Sequence, residues 1–486
     1  MAQLLLGVDV GSTAAKAAVY DLEGRELGRA SRTIGRDQPA AGQMERSLDD
    51  MWTVCCEVMQ EVIAAVGRPK DIAAVGVTGA GDGLHILRED GTPARPAVLA
   101  LDKRAQSIVQ TWRATHVGMT ALRLTGELPF AGSPAALLRW LREHEPGTYR
   151  ETRWLLFAKD WITFKLTDVM GTDITDISSG LSSLRPGGDP GEILALYDLA
   201  DISRVFPEVR PSEAIVGVVT EQAARQTGLL RGTPTVAGLH DIDANSLGSG
   251  CASPGQLCVV MGTFGSNLLT TNQPYVDSRW MTRTHFKRDA WMILRTSGAS
   301  MACLRWFLDA TAHEGDYEWR TVLDAGTTET LPIFLPYVFE SDADQTAAGG
   351  SFIGLKSHHC YSDLIRAVIE GVVINQSLDV DMLRAAVPVS EIRITGGGAN
   401  SAMVCQLFAD LLATPVDIPK AAESGTLGAA LCAGVGIGAI GDWDHAAAAV
   451  SLKGRVQPSP DGIARAKVRA ERFVHARSAL CDLTTR

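Results

Sequence analysis

The sequence has little of what marks a secreted, disulfide-bonded or nucleic-acid-binding protein. Its nine cysteines are scattered, without a CxxC pair or metal-ligand spacing, which favours reduced thiols and a cytoplasmic protein over disulfides or zinc. The net charge of −11 opposes binding to nucleic acid, because such binding needs a concentrated basic surface. The first apolar run is short and meets Asp9 early, so we expect a strand there and not a secretion signal.

A long uncharged segment, Ser424 to Gly441, has the length of a membrane span. It contains six glycines and several alanines, which predict a closely packed stretch of small residues. We therefore expect no membrane insertion.

The length of 486 residues exceeds what one hydrophobic core usually supports, so we expect two domains. Residues 248–254 concentrate small residues, glycine and proline, which favours a boundary there. The predicted domains are residues 1–250 and 251–486.

Strand and helix patterns alternate along both halves. The opening "LLLGVDVGSTAAKAAVYDLEGRELGRASRTI" predicts a β-meander, and Ser47 is placed to cap a helix that precedes the buried-strand pattern "IAAVGVTG". From residue 256, "QLCVVMGTFGSNLLTT" repeats the design of strand, Gly-Thr turn and strand. The chain is therefore predicted to be an α/β layer protein that uses one plan twice.

The octet "DVGSTAAK" has the chemistry of a phosphate-binding turn. Gly11 lets the backbone approach a ligand, Ser12 and Thr13 add hydroxyl donors, and Lys16 adds positive charge. Asp9 could hold the hydrated Mg²⁺ that accompanies a nucleotide. A tight hairpin turn with a surface lysine would explain the same octet equally well.

Two further glycine turns follow predicted strands in the second half. In "GTFG", Gly262 and Thr263 could grip phosphate, and in "GGGANS", Gly397, Gly398 and Ser401 could lie against a purine ring. A triple glycine alone is more typical of a simple turn. The three turns together favour a nucleotide site between the domains.

In their order, "GVDVGSTAAK", "GLHDIDANSLG", "MGTFG" and "ITGGGANS" resemble the FGGY carbohydrate kinases of the actin-like ATPase superfamily. The segments "FAKDWITFKLT" and 350–370 resemble the two signatures of that family. The resemblance runs from about residue 4 to 440. It implies an α/β fold of two ribonuclease-H-like domains, with ATP, Mg²⁺ and a sugar meeting in the interdomain cleft. It also implies a nucleotide contact at Gly298.

The same resemblance gives a role to the polar segment "HDIDANSLG". The family pattern D-x-x-A-x-x-x-G falls on Asp241, Ala244 and Gly248, which implies that Asp241 is the general base, binds the substrate and joins Asp9 at the metal. An isolated aspartate before a helix would more commonly be a cap. Asp243 is the rival base, but it should point elsewhere. We interpret His240 as a local hydrogen-bonding group, with a sugar contact as the weaker alternative.

The stretch "GVTGAGDGLHIL" lacks the Arg-Glu pair of glycerol kinases and the Met-His pair of D-xylulose kinases. Asp82 could accept bonds from sugar hydroxyls, although a plain Gly-Asp-Gly turn is an alternative. The pieces "GDG", "LDKRA" and "FAKDW" resemble the subgroup that acts on L-xylulose, 3-keto-L-gulonate or erythritol. Residues 340–342, Glu-Ser-Asp, depart from the Gly-Ser-Asn expected in much of that subgroup.

The sequence thus predicts an ATP-dependent kinase of a small ketose or polyol that binds neither nucleic acid nor membrane, and a homodimer is compatible with it. An actin-like switch acting on a protein partner, or a silent sugar sensor, is the alternative. We expect Asp102, Arg104 and Asp160 in internal ion pairs or helix caps, and Trp161 is the tryptophan to examine against a sugar face.

Overall fold

The computed structural model describes residues 3–184, 190–202, 204–311, 331–339 and 349–484. The chain forms two compact units. Unit 1 comprises Met1–Pro254, Thr270–Ile293 and Glu423–Ser451, and unit 2 comprises Gly255–Leu269, Leu294–Ala422 and Leu452–Arg486. The predicted division at residue 250 lies near the first crossing between the units, and it does not include the later crossings.

The secondary structure alternates as an α/β pattern requires. The strands are β1 Leu4–Val10, β2 Ala14–Asp21, β3 Glu26–Thr33, β4 Glu45–Arg46, β5 Ile72–Gly79, β6 His85–Leu87, β7 Ala97–Val98, β8 Trp154–Leu156, β9 Thr172–Asp173, β10 Val209–Arg210, β11 Ile215–Val218, β12 Pro234–Val236, β13 Leu239–His240, β14 Gln256–Met261, β15 Gly265–Thr271, β16 Met281–Thr284, β17 Trp291–Ser297, β18 Ile333–Leu335, β19 Ser351–Ile353, β20 Glu391–Thr395, β21 Val416–Pro419 and β22 Leu452–Val456.

The α-helices are α1 Leu48–Val66, α2 Gln106–Ala114, α3 His116–Thr125, α4 Pro134–His144, α5 Pro146–Glu151, α6 Ala158–Thr167, α7 Ile174–Ile177, α8 Pro190–Leu196, α9 Glu221–Thr227, α10 Asp241–Gly248, α11 Met301–Thr311, α12 Tyr361–Ala386, α13 Ala402–Leu412, α14 Ser424–Gly436, α15 Trp443–Ala448 and α16 Pro460–Thr484. Short 3₁₀ helices lie at Pro69–Asp71, Ala200–Ile202 and Gly397–Asn400.

The main sheet of unit 1 has the strand order β11-β12-β5-β1-β2-β3, and β13 also pairs with β5. The predicted meander is present, because β1 to β3 pair antiparallel in sequence order. Strand β5 then pairs parallel with β1, and β12 and β13 pair parallel with β5. The parallel strands β1, β5 and β13 bring their carboxyl ends to one edge, where Asp9 and His240 lie.

The sheet that contains the unit 2 strands has the corresponding order β16-β17-β15-β14-β20-β21-β22. Its first two strands along the chain form an antiparallel hairpin, β14 with β15, and β20 and β21 then continue in parallel from β14. Strand β22 closes the edge antiparallel to β21, as β11 does beside β12. The expectation that one plan is used twice is confirmed.

Helix α1 packs on the face of the unit 1 sheet that carries the alternate apolar side chains. Its start follows the predicted cap, because the Ser47 hydroxyl accepts a bond from the Asp50 N–H at 3.1 Å. Met51 and Met59 of α1 and Leu6 and Val8 of β1 belong to one buried cluster. Burial of these side chains fixes the sheet on which the site residues are displayed.

Helix α14 covers the opposite face of the same sheet and also packs on α10. This approach requires residues without side chains. A Cβ added at Gly7 would lie 1.8 Å from the Thr426 carbonyl oxygen, and one at Gly428 would lie 2.0 Å from the Ala244 carbonyl oxygen. The small residues predicted to pack closely therefore do so, and α14 holds β1 and α10 together.

Two expectations about residue chemistry can be compared with the fold. The nine cysteines all lie within the described ranges and outside any disulfide, and Cys360 is the exposed one. Within the described ranges, no helix combines the length with the apolar character that crossing a membrane requires.

Candidate functional site

The turn that the sequence predicts to bind phosphate lies between β1 and β2 in unit 1. Asp9 is half-buried near the end of β1, opposite Lys16 of β2, and Gly11, Ser12 and Thr13 form the connection. The Gly11 N–H donates to the Ala14 carbonyl at 3.0 Å, which closes the turn tightly. The structure therefore brings together five of the residues assigned to the nucleotide.

Lys16 already has an anionic partner. Its Nζ donates to Oε2 of Glu423 at 2.6 Å. Burial lowers the pKa of Lys16, but the Glu423 and Asp9 charges outweigh that effect and raise it, so the ammonium stays protonated. Glu423 comes from a distant part of the sequence, and no local pattern indicated it.

Asp9 occupies an environment that disfavours its charge. Burial raises the pKa of Asp9 to about 7, Lys16 partly opposes this, and the Asp241 and Glu423 carboxylates add to it. Asp9 and Asp241 are therefore close enough to repel one another when both are ionised.

Asp241 is the first residue of α10, which begins where β13 ends. Its Oδ1 lies 2.9 Å from Nδ1 of His240, and its side chain remains 35% exposed. The side-chain amide of Asn245, one turn later, donates to the backbone carbonyl of Asp241 and so stabilises the start of α10. One carboxylate oxygen is thus held by a buried imidazole, while the group keeps access to solvent.

Arg283 of β16 joins this network from elsewhere in unit 1. Its Nη1 lies 2.9 Å from Nε2 of His240, its Nη2 donates to Oδ1 of Asp82 at 3.1 Å, and its Nε donates to Oε2 of Glu127 at 3.1 Å. Arg283 is 2% exposed. Neither Arg283 nor Glu127 stands in a recognisable sequence motif, so neither was predicted as a site residue.

The bonds to Arg283 determine the tautomer of His240. A guanidinium has no lone pair to accept a bond, so a neutral His240 receives the Arg283 N–H at Nε2 and carries its proton on Nδ1, which faces Asp241 and the Ile242 N–H. Burial and the Arg283 charge lower the pKa of His240, but the hydrogen bond to Asp241 and the charges of Asp241 and Asp176 outweigh them and raise it to about 9. The geometry defines a chain from Asp82 and Glu127 through Arg283 and His240 to Asp241.

Gly81 explains why this chain can form. A Cβ at Gly81 would lie 1.8 Å from Nε2 of His240, so any side chain there would displace the imidazole. Its neighbour Asp82 has a left-handed backbone with φ of 59°, which aspartate tolerates better than most residues. The "GDG" stretch is therefore a turn that also directs a carboxylate toward Arg283.

A buried ionic cluster lies behind His240. Nζ of Lys159 contacts Asp160 at 2.5 Å and both Asp173 and Asp176 at 3.0 Å. Thr175 links this cluster to the site, because its hydroxyl donates to Asp173 and accepts from the His240 N–H at 2.8 Å. The cluster fixes the backbone from which His240 and Asp241 project.

Asp243, the rival base, is 1% exposed, and neither of its carboxylate oxygens has a hydrogen-bond partner among the described residues. Burial raises the pKa of Asp243 well above its ordinary value, which favours the neutral acid. It therefore lacks both the access and the charge state of a base.

Asp82 also lines a pocket in unit 1, here called the Asp82 pocket, whose lining residues include Ser12, Arg36, Arg46, Asp82, His85 and Ala100.

The residues Asp102, Arg104 and Asp160 form an internal ion pair or a helix cap, as expected. Asp102 pairs with Arg104 at 2.9 Å, and Asp160 caps α6 by accepting from the Phe157 N–H.

Trp161, the tryptophan favoured for a sugar face, is instead a core residue. Trp161 is 2% exposed in the hydrophobic cluster beneath α1, and its indole N–H donates to the Leu48 carbonyl at 2.7 Å. Its apolar ring is used for packing because α6 places it against the sheet. Residues 340–342 lie outside the described residues.

In unit 2, the glycine turns assigned to the nucleotide lie together. The Ser300 hydroxyl, two residues after Gly298, donates to the Gly262 carbonyl at 3.0 Å, and the Ala302 N–H donates to that of Thr263. A Cβ at Gly398 would lie 2.8 Å from the Met261 side chain, whereas one at Gly397 would meet open space.

The Ser401 side chain forms a helix cap next to these glycine turns. Its hydroxyl accepts from the Val404 N–H and caps α13, so its side chain serves the helix.

The described residues contain no group of three or more His, Cys, Asp or Glu side chains arranged to hold a metal. Mg²⁺ does not need such a group, since it is commonly held by one or two carboxylates together with substrate phosphates and water. Asp9 and Asp241 supply two carboxylates whose mutual repulsion a cation would relieve. The donor set therefore fits Mg²⁺.

Two repeated α/β units with glycine turns at strand ends and a carboxylate at a helix start define an actin-like phosphotransferase. The FGGY carbohydrate kinase N-terminal domain matches residues 4–248, and the C-terminal domain of the same family matches residues 257–437. The chain belongs to the FGGY family of carbohydrate kinases, and it is an ATP-dependent sugar kinase.

Individual relatives support this assignment. The chain is 31% identical over 462 residues to an L-xylulose/3-keto-L-gulonate kinase of Escherichia coli, covering 92% of this chain and 91% of the relative. It is 30% identical to a probable L-xylulose kinase of Haemophilus influenzae, covering 88% and 89%. A gluconate kinase structure from Lactobacillus acidophilus superposes with a TM-score of 0.87 at 23% identity, covering 99% of each chain, which shows the shared fold.

These comparisons confirm the predicted family, the actin-like fold and the kinase class. The residue roles, the homodimer, the cytoplasmic location and the absence of a nucleic-acid partner stay predictions.

Proposed function

We propose that this kinase transfers the terminal phosphate of ATP to a hydroxyl of L-xylulose or 3-keto-L-gulonate, with Asp241 as the general base. The sugars are those named for two relatives that align over about nine-tenths of their length. The observation that carries the role of Asp241 is its geometry: a carboxylate with one oxygen held by His240, and with access to solvent.

Phosphoryl transfer asks the protein mainly for alignment, charge neutralisation and a proton acceptor. Nδ1–H of His240 orients the Asp241 carboxylate so that its other oxygen is available to the sugar hydroxyl. Arg283 holds the imidazole in the tautomer that does this, and Asp82 and Glu127 hold Arg283. These residues are therefore positioning groups for the base.

The charge on the nucleotide would be met by Lys16 and by Mg²⁺ held by Asp9 and Asp241, and the metal would neutralise developing charge on the phosphates. Gly11, Ser12 and Thr13 are the proposed phosphate contacts in unit 1. Gly262, Thr263, Gly298, Gly397, Gly398 and Ser401 are the proposed nucleotide contacts in unit 2. Asp82, whose carboxylate is oriented by Arg283, is proposed to accept a bond from a sugar hydroxyl.

Steady-state ADP release by Asp241→Asn tests the base. We expect kcat to fall by about 10²- to 10⁴-fold, the usual contribution of a general base, while ATP binding is retained. Asp243→Asn is the matched control, because an amide closely replaces the neutral acid expected there, and its kcat should stay within a few-fold of the original. Full turnover by a folded Asp241→Asn protein would disprove the role.

A further inference from the structure

The Asp82 pocket contains positive charge that the proposed reaction does not use. Arg46 is 3% exposed, and it lines this pocket. Three of its five N–H groups donate to backbone carbonyls, those of Gly35, Gly11 and Ser12. The remaining two N–H groups and the full charge have no carboxylate partner among the described residues.

Neighbouring acidic groups do not compensate for this charge. Glu45, next to Arg46 in β4, pairs with Arg95 and Arg104, and Asp102 also pairs with Arg104. Burial lowers the pKa of Arg46, and a second guanidinium, Arg36, lowers it further. A buried cation normally has an anionic partner, because removing the charge from water is costly.

Arg36 and His85 line the same pocket. Arg36 is exposed and forms no ion pair within the described residues. His85 is 3% exposed, and its Nδ1 has no hydrogen-bond partner there. Burial and the Arg46 charge lower the pKa of His85 to about 3, so its imidazole can bond a ligand without adding charge.

Asp82 is the only carboxylate among the residues that line the pocket, and it pairs with Arg283, which is not one of those residues. The pocket therefore offers two guanidiniums and a neutral imidazole for an anion, and one oriented carboxylate for a hydroxyl. A polyhydroxy carboxylate has this combination of groups. Two guanidiniums suit a carboxylate especially well, since their N–H groups match its two oxygens.

We propose that Arg36, Arg46 and His85 form a carboxylate subsite, so that the preferred substrate is a sugar acid and not a neutral ketose. This inference rests on the proposed function and narrows it to the acidic member of the pair. Arg36 is the specificity-determining residue that can be changed safely, because it is exposed and supports no other described side chain. Arg46 also holds the carbonyls of the phosphate turn, so its removal would mix two effects.

The test compares kcat/KM for 3-keto-L-gulonate and for L-xylulose in three proteins: the original, Arg36→Gln and Arg32→Gln. Arg32 is a matched control, since it is an exposed arginine of β3 that pairs with Glu57 and Glu61. We expect the ratio of kcat/KM for the acid to that for the ketose to exceed one in the original protein. It should fall about tenfold in Arg36→Gln, and it should not change in Arg32→Gln.

A ratio that stays within twofold in Arg36→Gln would overturn the subsite, and equal losses with both sugars would assign the arginines to the transferred phosphate instead. Thermal unfolding with each sugar gives a reading independent of turnover, because 3-keto-L-gulonate should raise the Tm of the original protein more than that of Arg36→Gln. If neither sugar supports ADP release, the proposed sugar range fails, and the Tm comparison still decides the subsite.

Discussion

Asp9→Asn should stabilise the protein in the absence of nucleotide and metal, although it removes a proposed magnesium ligand. The pKa of Asp9 rises from an ordinary value of 3.8 to about 7 in the folded chain. The folded state therefore holds the proton more tightly than the unfolded state, so the stability present at low pH is lost as pH rises from 3.8 to 7. At 1.36 kcal/mol per pH unit, the full interval corresponds to about 4 kcal/mol.

Asp9 keeps partial access to solvent, so we expect roughly half of that amount, about 2 kcal/mol, to appear at pH 8 as a gain for the variant. At pH 5 the gain should fall to about a third of its value at pH 8, because most of the carboxyl is still protonated in the folded protein. Asparagine has nearly the same shape as the protonated acid, so packing should not change.

The assay is urea unfolding of both proteins at pH 5 and pH 8 in EDTA, followed by isothermal titration with Mg²⁺ and ATP. The variant should unfold at higher urea at pH 8 and should bind the metal nucleotide more weakly. Equal stability at pH 8, or a variant less stable than the original, would refute the assigned environment of Asp9. Such a gain in stability at the expense of ligand binding is typical of functional sites.

Two further substitutions test the packing that positions the site. Gly428→Ala should lower the free energy of unfolding, measured in urea, by about 3 kcal/mol, because its new methyl group would lie 2.0 Å from the Ala244 carbonyl oxygen. Gly147→Ala in α5, where nothing lies within 4 Å, is the control and should be neutral or stabilising. Similar effects at both sites would contradict the close contact. Lys159→Met should lower the free energy of unfolding by about 3 to 5 kcal/mol, because it leaves three buried carboxylates without their cation. Lys70→Met on the surface is the control and should change the free energy of unfolding by under about 0.5 kcal/mol. A stable Lys159→Met protein would show that the cluster is neutral.

The elements whose causes are local were predictable from the sequence. The Ser47 cap, the hairpin around Gly11 and the strand before Gly396 depend on residues within a few positions of one another, so periodicity and turn chemistry indicated them. The assignment of Asp241 needed more than this, because a lone aspartate before a helix is ordinarily a cap. The family pattern D-x-x-A-x-x-x-G, and not the local sequence, favoured the base over the cap.

The partners of Asp241 were not predictable in this way. Arg283 stands 43 positions from His240 and 201 positions from Asp82, so each pair is brought together by the tertiary fold. Lys16 and Glu423 are 407 positions apart. Trp161 was misjudged for the same reason, since its exposure depends on which face of α6 meets the sheet.

Helix α14 belongs to unit 1 but lies 169 residues beyond the end of that unit's first stretch, counting from Pro254 to Glu423. During translation at roughly 5 to 20 residues per second, a nascent chain would wait about 10 to 30 s for this helix after the first stretch has emerged. A unit 1 sheet formed in that interval would expose its face around Gly7 to water and to other polypeptides. We therefore expect the nascent chain to bind a chaperone at this apolar face until α14 has been synthesised.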